Sequence, residues 1–320
     1  MTNPPCVSIC IPTLNGSTFL AETLDSAEAQ DFEDLEIVLS DSGSTDDTLD
    51  MIRAFQARSR FPVKVLPPPP PGMVENWNHC IANSAGRYIK FLFQDDLLEP
   101  DCLSKMVTLA EADPDVGLVF SPRHLLIDEE ARKIEQCKRI ESETGNGVHL
   151  GWKNLQRLQH GRAMLADPGL VTRGSLNKIG EPTVVLLRAE TVQRVGGFNT
   201  KLRQLVDLEM WWRVMGHSKV GFIDAPLASF RVHPQQASVG NSRPLQVIAE
   251  QKQFAHSALQ AEFACEFSTE TRQVLEEMEG KNLLFQLLYL QYRKPLIWLR
   301  KQLGLGDSQS WKTLFSQRPN

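Results

Sequence analysis

Short apolar segments alternate with helical patterns at the start of the chain. The apolar segments cover 7–12, 35–39 and 63–66 and are rich in Val, Ile and Leu. Each is bounded by proline or polar turn residues, as buried strands are. Between them, apolar residues recur at helical spacing over 19–27 and 49–52. This order of strand, helix, strand, helix, strand predicts a parallel sheet with right-handed crossovers, and so an α/β unit.

A fourth apolar segment ends close to two adjacent carboxylates. Residues 88–93 are apolar apart from Lys90 and predict a buried strand, and Asp95 and Asp96 follow after one residue. Because ligands bind outside the carboxyl ends of parallel strands, these side chains are expected to face a crevice. Carboxylates at such a place suit Mg²⁺ or Mn²⁺ shared with substrate phosphates. The alternative is that they only cap the loop before a helix that starts near Pro100.

The turn after the first strand excludes two common nucleotide sites. Residues 12–17 read Pro-Thr-Leu-Asn-Gly-Ser. This is neither the GxGxxG turn of dinucleotide-binding enzymes nor the GxxxxGK[ST] loop of P-loop enzymes. Substrate phosphates must therefore be held in another way, and a metal ion at Asp95 and Asp96 would hold them.

The composition is that of an ordinary soluble globular protein. With 320 residues, 42% of them hydrophobic and 23% charged, the chain is long enough for a large core. The formal net charge of -5 argues against a nucleic-acid partner. Six cysteines without a CxxC pair indicate neither a zinc site nor a disulfide framework. Residues 1–5 lack signal-peptide character, so we expect a cytoplasmic protein.

Four ordered motifs together are specific enough to indicate a family. They lie at 7–15 (V-S-I-C-I-P-T-L-N), 40–48 (S-D-S-G-S-T-D-D-T), 86–96 (G-R-Y-I-K-F-L-F-Q-D-D), and 196–199 with 207–213 (G-G-F-N and D-L-E-M-W-W-R). They resemble the V-S-x-x-I-P-x-x-N, D-D-G-S-x-D-x-T, G-x-Y-I-x-F-L-D-x-D-D, and G-G-F-D with E-D-x-x-L-x-x-R motifs of family 2 glycosyltransferases. The order and spacing agree over roughly residues 7 to 240.

The resemblance implies a GT-A fold, an α/β architecture with a Rossmann-like, mostly parallel central sheet flanked by helices. It divides the chain into a nucleotide-sugar-binding half at 1–118, an acceptor-binding and catalytic half at 119–240, and a helical C-terminal extension at 241–320. The implied activity is an inverting transfer of one sugar from a nucleotide-diphosphate sugar to an acceptor hydroxyl, dependent on Mn²⁺ or Mg²⁺. A UDP-sugar is the favoured donor. The acceptor is expected to be a saccharide or a lipid-linked molecule of surface polysaccharide or glycolipid assembly.

The resemblance places the nucleotide on the first two loops and on the metal motif. The matching positions are Pro12, Thr13, Asn15, Asp41, Ser44 and Asp95. Asp41 matches the acid that typically contacts the base. Asp95 is expected near the ribose or the waters of the metal, and Asp96 is expected to be the direct metal ligand. The alternative for Asp41 and Ser44 is a turn and cap role, since Ser44 and Asp47 also have capping-box spacing.

Two departures from the family motifs bear on the chemistry. Phe93 stands where the first acid of the metal motif is usual, and Val206 stands where the family often has Glu. An inverting transfer needs a carboxylate that accepts the proton of the acceptor hydroxyl. The base is therefore assigned to Asp207, with Glu209 as the alternative. The competing interpretation is that Asp207 is only an acidic first-turn residue favoured by the helix dipole.

An R-x-H segment follows the last predicted strand. Related glycosyltransferases often carry such a segment. The resemblance implies that His233 reaches the metal or the diphosphate and that Arg231 pairs with phosphate. The alternative for His233 is a structural role, which is the commoner role of a single histidine.

The end of the chain is basic and amphipathic. Residues 281–320 contain seven Lys or Arg and one acid, a net charge of +6. Leucines and aromatic residues are frequent over 283–299, but 293–295 (Arg-Lys-Pro) interrupt them, so no membrane-spanning helix is expected. Peripheral contact of 281–303 with the inner face of an anionic membrane is one interpretation. Packing on the catalytic domain, or on a second subunit of a homodimer, is the other.

A second function class stays open. Without the first acid of its metal motif, the chain would suit a non-catalytic nucleotide-sugar-binding protein. The presence of both Asp96 and Asp207 favours an enzyme, because a binding protein needs no base. A sugar-nucleotide pyrophosphorylase is disfavoured, because the G-x-G-T-R stretch expected near its first strand is absent from the sequence.

Overall fold

The central element of the fold is an eight-stranded sheet. The computed structural model describes residues 4–134, 151–171, 177–236 and 244–280. The strands are β1 (Val7–Thr13), β2 (Leu35–Asp41), β3 (Val63–Val65), β4 (Tyr88–Phe91), β5 (Leu97–Leu98), β6 (Val116–Phe120), β7 (His124–Ile127), β8 (Leu158–His160), β9 (Val185–Arg188), β10 (Lys219–Phe222) and β11 (Ala228–Val232). The large sheet has the order β3-β2-β1-β4-β9-β6-β10-β8. All of its strands run in one direction except β9 and β8.

Strand β1 lies in the parallel part of the sheet and is buried along its whole length. Because helices cover both faces of a parallel sheet, its sequence is a continuous apolar run and does not alternate. β1 pairs with β2 from Val7 opposite Leu35 to Thr13 opposite Asp41. This register ends both strands at the same edge, so the loops that follow them lie together.

The helices cover the sheet on both faces. They are α1 (Leu20–Glu28), α2 (Thr48–Arg58), α3 (Met73–Ala82), α4 (Cys102–Glu111), α5 (Gly161–Leu165), α6 (Ala189–Val195), α7 (Val206–His217), α8 (Pro244–Gln260) and α9 (Thr269–Gly280). Helix α1 shows the usual pattern, because it buries Leu20, Thr23, Leu24 and Ala27 along one stripe. Helix α7 is buried around most of its circumference.

A smaller sheet of three strands brings together residues that are far apart in sequence. Strand β11 lies between β5 and β7, antiparallel to β5 and parallel to β7. β5 begins immediately after Asp96, so its pairing with β11 carries Arg231 and His233 to the two carboxylates. His233 and Asp95 meet here although they are 138 positions apart.

The helices α8 and α9 of the C-terminal region pack on each other, and an aromatic contact joins α8 to α7. Trp212 of α7 contacts Phe254 of α8, with ring centroids 5.0 Å apart, and Phe267, at 5.2 Å. Over the described ranges, none of the helices combines the length and the apolar character that a membrane crossing requires. Residues 281–303, for which peripheral membrane contact is predicted, lie outside the described residues.

The predicted α/β fold, with a mostly parallel central sheet, flanking helices and a helical C-terminal region, is confirmed. The strand predicted at 88–93 ends at Phe91. The sheet continues through β6, which spans the predicted boundary at 118. The division into 1–118, 119–240 and 241–320 stays a prediction.

Candidate active site

The loop after β2 is organised around the carboxylate of Asp41. One oxygen accepts hydrogen bonds from the main-chain N–H groups of Gly43, at 3.0 Å, and Ser44, at 2.8 Å. The other accepts from the hydroxyls of Thr13, at 2.8 Å, and Ser44, at 2.5 Å. Asp41 is buried, and so is Pro12, which lies within β1. Asp41 and Ser44 therefore shape the loop, and the predicted base contact of Asp41 stays a prediction.

The loop after β1 is tied to both neighbouring loops. Asn15 has a left-handed backbone, with φ of 49°, and its side-chain oxygen accepts from Thr45 N–H at 2.9 Å. Its own N–H donates to the hydroxyl of Ser44 at 2.8 Å. Gln94 pairs with both main-chain groups of Leu14, at 2.8 and 3.1 Å. The loops after β1, β2 and β4 thus form one connected rim at the carboxyl ends of the strands.

The predicted capping box at Ser44 and Asp47 does not form. Helix α2 begins at Thr48, and Asp47 at its N-cap position makes no side-chain cap hydrogen bond. The hydroxyl of Ser44 binds Asp41 instead. Asp46 accepts from both the N–H of Thr48, at 3.1 Å, and its hydroxyl, at 2.6 Å. These hydrogen bonds hold the pKa of Asp46 well below its usual range.

Asp96 lies in the interior of the protein. One of its carboxylate oxygens accepts from the hydroxyl of Thr183 at 2.6 Å, and the other accepts from the main-chain N–H of Arg231 at 3.0 Å. Burial, followed by the charge of Asp95, raises the pKa of Asp96 well above its ordinary value. Both oxygens are engaged with protein groups, so a role as direct metal ligand stays a prediction.

Asp95 points the other way and meets His233. Its carboxylate oxygen lies 2.9 Å from Nε2 of His233, and the Asp95 side chain is 21% exposed. The ring of His233 packs at 4.8 Å from that of Phe19. The second ring nitrogen, Nδ1, is buried and has no hydrogen-bond partner among the described residues. Asp95 and His233 therefore form a pair at the carboxyl end of β4 with one polar atom unused.

Arg231 also contacts this pair of residues. Its Nε donates to the main-chain oxygen of Asp95 at 3.0 Å, and its Nη2 lies 2.7 Å from a carboxylate oxygen of Glu22. The guanidinium also lies 4.5 Å from the centre of the Phe19 ring, a cation–π contact. Its charge is thus partly neutralised by Glu22, and the predicted phosphate contact stays a prediction.

The donor set of this region fits a divalent cation that is shared with a substrate. No cluster of three or more His, Cys, Asp or Glu residues with metal-ligand geometry occurs among the described residues. Asp95 and His233 supply one carboxylate oxygen and one imidazole nitrogen within reach of each other. Mg²⁺ and Mn²⁺ commonly take one or two protein ligands and complete their shell with phosphate oxygens and water. The pair would therefore suit Mn²⁺ or Mg²⁺ shared with a substrate phosphate.

Asp207 stands at the N-terminal end of α7 and is partly exposed. Its oxygens accept from the main-chain N–H of Leu208 at 2.7 Å and from Nδ2 of Asn177 at 2.9 Å. Burial, and to a smaller extent the charge of Glu181, raises the pKa of Asp207 from 3.8 to about 7. A carboxyl with such a pKa exchanges its proton near neutral pH, as a general base does.

Glu209 is held in a different manner. Its two oxygens lie 2.9 and 2.8 Å from Nε and Nη2 of Arg213, a bidentate ion pair one helical turn apart. Arg213 also donates to the main-chain oxygens of Val195, Gly196 and Gly197. This arrangement ties the Gly-Gly-Phe-Asn motif to α7, so Glu209 contributes to structure at this position. Its role as alternative base stays a prediction.

The segment 177–184, before β9, contacts both Asp96 and Asp207. The sequence alone gives little indication of these contacts. Thr183 binds Asp96 through its hydroxyl, and its main-chain oxygen accepts from Nζ of Lys90 at 2.6 Å. The Glu181 charge raises the pKa of both Asp96 and Asp207. The one sequence signal was Lys90, a charged residue inside an apolar strand, which is fully buried.

The aromatic residue in the metal motif has a packing role. Phe93 stacks on Trp77, with ring centroids 4.9 Å apart and planes 29° apart. Trp77 in turn contacts Phe198 edge to face at 5.3 Å. Phe93 thus extends an aromatic cluster from the core toward the carboxylates of β4.

Comparison with known proteins identifies the family. Residues 8–164 match the family described as Glycosyl transferase family 2. Residues 8–164 of the chain are a glycosyl transferase family 2 region. The resemblance to family 2 glycosyltransferases, seen in the motifs, is thereby confirmed.

Curated relatives share part of their length with this family 2 chain. An uncharacterized protein of Mycobacterium tuberculosis is 32% identical over 229 residues, which are 70% of this chain and 66% of that protein. An uncharacterized glycosyltransferase of Rickettsia felis is 26% identical over 73% of this chain and 35% of its own length. The chondroitin synthase of Pasteurella multocida is 35% identical over 74% of this chain and 22% of its own length.

Solved structures confirm the GT-A type of fold. Staphylococcus aureus TarS in complex with UDP-GlcNAc has a TM-score of 0.60 at 15% identity, covering 86% of this chain and 70% of that chain. The mannosyltransferase PcManGT of Pyrobaculum calidifontis, in complex with GDP-Man and Mn²⁺, has a TM-score of 0.56 at 18% identity, covering 87% and 70%. At these identities the likeness extends to the fold alone.

Proposed function

We propose that this glycosyltransferase moves one sugar from a nucleotide-diphosphate sugar to an acceptor hydroxyl with inversion at the anomeric carbon. The observation that carries the proposal is Asp207, a half-buried residue at a helix N-terminus whose carboxyl pKa is raised by burial to about 7. It is linked through the segment before β9 to the acidic pair at the end of β4. One group that accepts a proton and one pair suited to a cation are the two parts that such a transfer requires.

The donor is proposed to lie on the rim formed by the loops after β1, β2 and β4. Structural relatives hold UDP-GlcNAc and GDP-Man, which supports a nucleotide-sugar as ligand class, and a UDP-sugar is favoured. Asp41 and Asn15 hold their loops closed through side-chain hydrogen bonds. They would act by keeping these loops, with Pro12 and Thr13 at the end of β1 and Ser44 after β2, in a fixed shape to which the donor binds.

The cation is proposed to bind between Asp95 and His233. A bound Mn²⁺ or Mg²⁺ would neutralise the negative charge that develops on the leaving diphosphate. In this scheme Asp96 fixes the direction of Asp95, because it anchors the end of β4 to Thr183 and Arg231. Arg231 adds positive charge near the phosphates, and its contact with Glu22 can be exchanged for one with phosphate.

The transfer itself is a single displacement. The acceptor oxygen forms a bond to the anomeric carbon while the bond from that carbon to the diphosphate breaks. The proton of the acceptor hydroxyl passes to Asp207, and the electron pair of the broken bond leaves with the diphosphate. Asn177 donates to one oxygen of Asp207 and thereby orients the carboxylate for the proton. A relative named chondroitin synthase supports a saccharide acceptor, and a lipid-linked acceptor is the alternative.

A non-catalytic nucleotide-sugar-binding protein is the second candidate. Phe93 favours it, because the first acid of the family metal motif is replaced by a residue that packs on Trp77. Such a protein would bind a donor without releasing nucleoside diphosphate in the presence of any acceptor.

The test combines binding and turnover on the full chain. Calorimetry with UDP-, GDP- and dTDP-sugars, with and without Mn²⁺, identifies the donor. Release of nucleoside diphosphate is then followed with a panel of saccharide and lipid-linked acceptors, and the anomeric configuration of the product is read by NMR. Metal-dependent binding followed by transfer with inversion is the expected result. Binding without release supports the second candidate, and a product with retained configuration contradicts the proposed mechanism.

A further inference from the structure

A carboxylate from the C-terminal region lies at the start of the helix that carries Asp207. One oxygen of Glu250, in α8, accepts hydrogen bonds from three successive main-chain N–H groups. They belong to Arg203 at 2.9 Å, Gln204 at 2.5 Å and Leu205 at 2.6 Å. Glu250 is 8% exposed, so these contacts are made out of reach of bulk water. Its position is 45 residues away from Leu205 in sequence.

These contacts hold the turn that leads into α7. The first N–H groups of an α-helix and its entry turn have no intrahelical partner. They are usually satisfied by a Ser, Thr, Asp or Asn at the N-cap. Helix α7 has Leu205 at that position, which makes no side-chain cap hydrogen bond. Glu250 accepts from the N–H of Leu205 and from those of the two residues before it, so a charged acceptor from another helix holds the turn that enters α7. Its negative charge also complements the helix dipole.

Apolar contacts hold the same face of α8 on α7. Phe254 lies one turn after Glu250 in α8, so both side chains project from one face. Its ring meets that of Trp212 at 5.0 Å in an edge-to-face contact. The aromatic contact fixes the two helices together, and Glu250 fixes the turn that leads into α7.

We propose that Glu250 is a positioning residue for the catalytic base: it holds residues 203–205 so that Asp207, two positions later, points at the acceptor hydroxyl. The inference rests on the proposed function of Asp207. In this proposal α8 contributes to the geometry of the active site. Like α7, α8 lies beyond residues 8–164, which match the family. Substrate does not touch Glu250 in this scheme.

The kinetic test compares Glu250→Ala and Glu250→Gln with the wild-type chain. The alanine variant removes the acceptor, and we expect kcat to fall about 10- to 100-fold, because small displacements of a catalytic group cost about that much. The KM for the donor stays unchanged. Glutamine retains an acceptor oxygen without the charge, so we expect an intermediate kcat. Glu276→Gln, an exposed position in α9, is the matched control and should behave as wild type.

Two further readouts separate positioning from a general loss of structure. A loosened entry turn admits water to Asp207, so the acidic limb of the pH profile of kcat should move to lower pH in Glu250→Ala. Among the described residues, Glu181 also raises the pKa of Asp207 by its charge, and it is unchanged in the variant. Hydrogen exchange of the 203–205 amides, which requires no activity, should become faster in Glu250→Ala and less so in Glu250→Gln.

Several results would overturn the inference. Unchanged exchange at 203–205 in Glu250→Ala would show that the contact does not hold the turn. Faster exchange with wild-type kcat and pH profile, or a raised donor KM with normal kcat, would show that it does not position the base. If the wild-type chain transfers no sugar from any donor, the proposed function fails, and the exchange experiment still decides whether Glu250 holds the turn.

Discussion

The end of β4 and the start of α7 each present a carboxyl group to the segment before β9, but they hold it differently. Asp96 is fully buried, and its two oxygens accept from Thr183 and from the main chain of Arg231. Burial raises the pKa of both groups, but the residue Asp207 is partly exposed and its pKa is about 7. A carboxyl group of the second kind can exchange a proton with a ligand, whereas one of the first kind orders the chain around it.

A second contrast lies within the end of β4 itself. Asp95 and Asp96 are adjacent, but only Asp95 meets an imidazole, and its side chain keeps 21% exposure. Of the two adjacent acids, Asp95 thus faces outward and Asp96 anchors the chain. The chemistry at each acid is therefore set by the partner that the fold brings to it.

The largest expected effect is that of Asp207→Asn on turnover. Removal of the base should lower kcat by about 10²- to 10⁴-fold, and calorimetric donor affinity with Mn²⁺ should be unchanged. Glu209→Gln in the same helix is the matched variant. It weakens the ion pair with Arg213, so a much smaller loss of kcat is expected. A larger loss in Glu209→Gln than in Asp207→Asn would move the base to Glu209.

The next effect concerns metal-dependent binding. Asp95→Asn and His233→Gln should each weaken donor binding in the presence of Mn²⁺ by on the order of 10- to 100-fold, as expected when metal ligation is disturbed. Binding without metal should change little. Asp50→Asn, at a side chain that is 81% exposed, is the control for the loss of one negative charge. Equal affinity of the Asp95 variant and the control would contradict the assignment of the pair.

Asp96→Asn should act mainly on stability. Asparagine offers one acceptor oxygen where aspartate offers two, so either the Thr183 hydroxyl or the Arg231 N–H loses its partner. An unsatisfied buried donor costs about 1–3 kcal/mol, which urea unfolding measures directly. Donor binding with Mn²⁺ should suffer less than in Asp95→Asn. If Asp96→Asn abolished that binding and left stability unchanged, Asp96 would be the direct metal ligand.

Much of the fold followed from the sequence because its signals are local or ordered. The apolar runs of β1 and β2 predicted parallel strands, and both strands are buried as expected. The order of the four motifs along the chain matched that of a known family. From this match we expected the loop after β4 and the start of α7 to lie in the same region. Such patterns predict the fold well because they reflect the burial of whole strands and the position of strand ends, and the topology places these ends together.

The partners of individual side chains could not be predicted, because they depend on contacts between distant elements. Ser44 has capping-box spacing, yet its hydroxyl binds Asp41 in the same loop. Thr183 and Asn177 belong to no motif and still hold Asp96 and Asp207. Glu250 resembles any other acid on an amphipathic helix until α8 is placed against α7.

The pH dependence of kcat in the wild type and in Asp207→Asn shows directly whether Asp207 is the base. A base must be deprotonated to act, and its pKa is raised, so activity should be lost as the pH falls through about 7. We expect an acidic limb with an apparent pKa of about 7 in the wild type, and a low residual rate without that limb in Asp207→Asn. A limb that persists unchanged in the variant would contradict the assignment of Asp207 as the base.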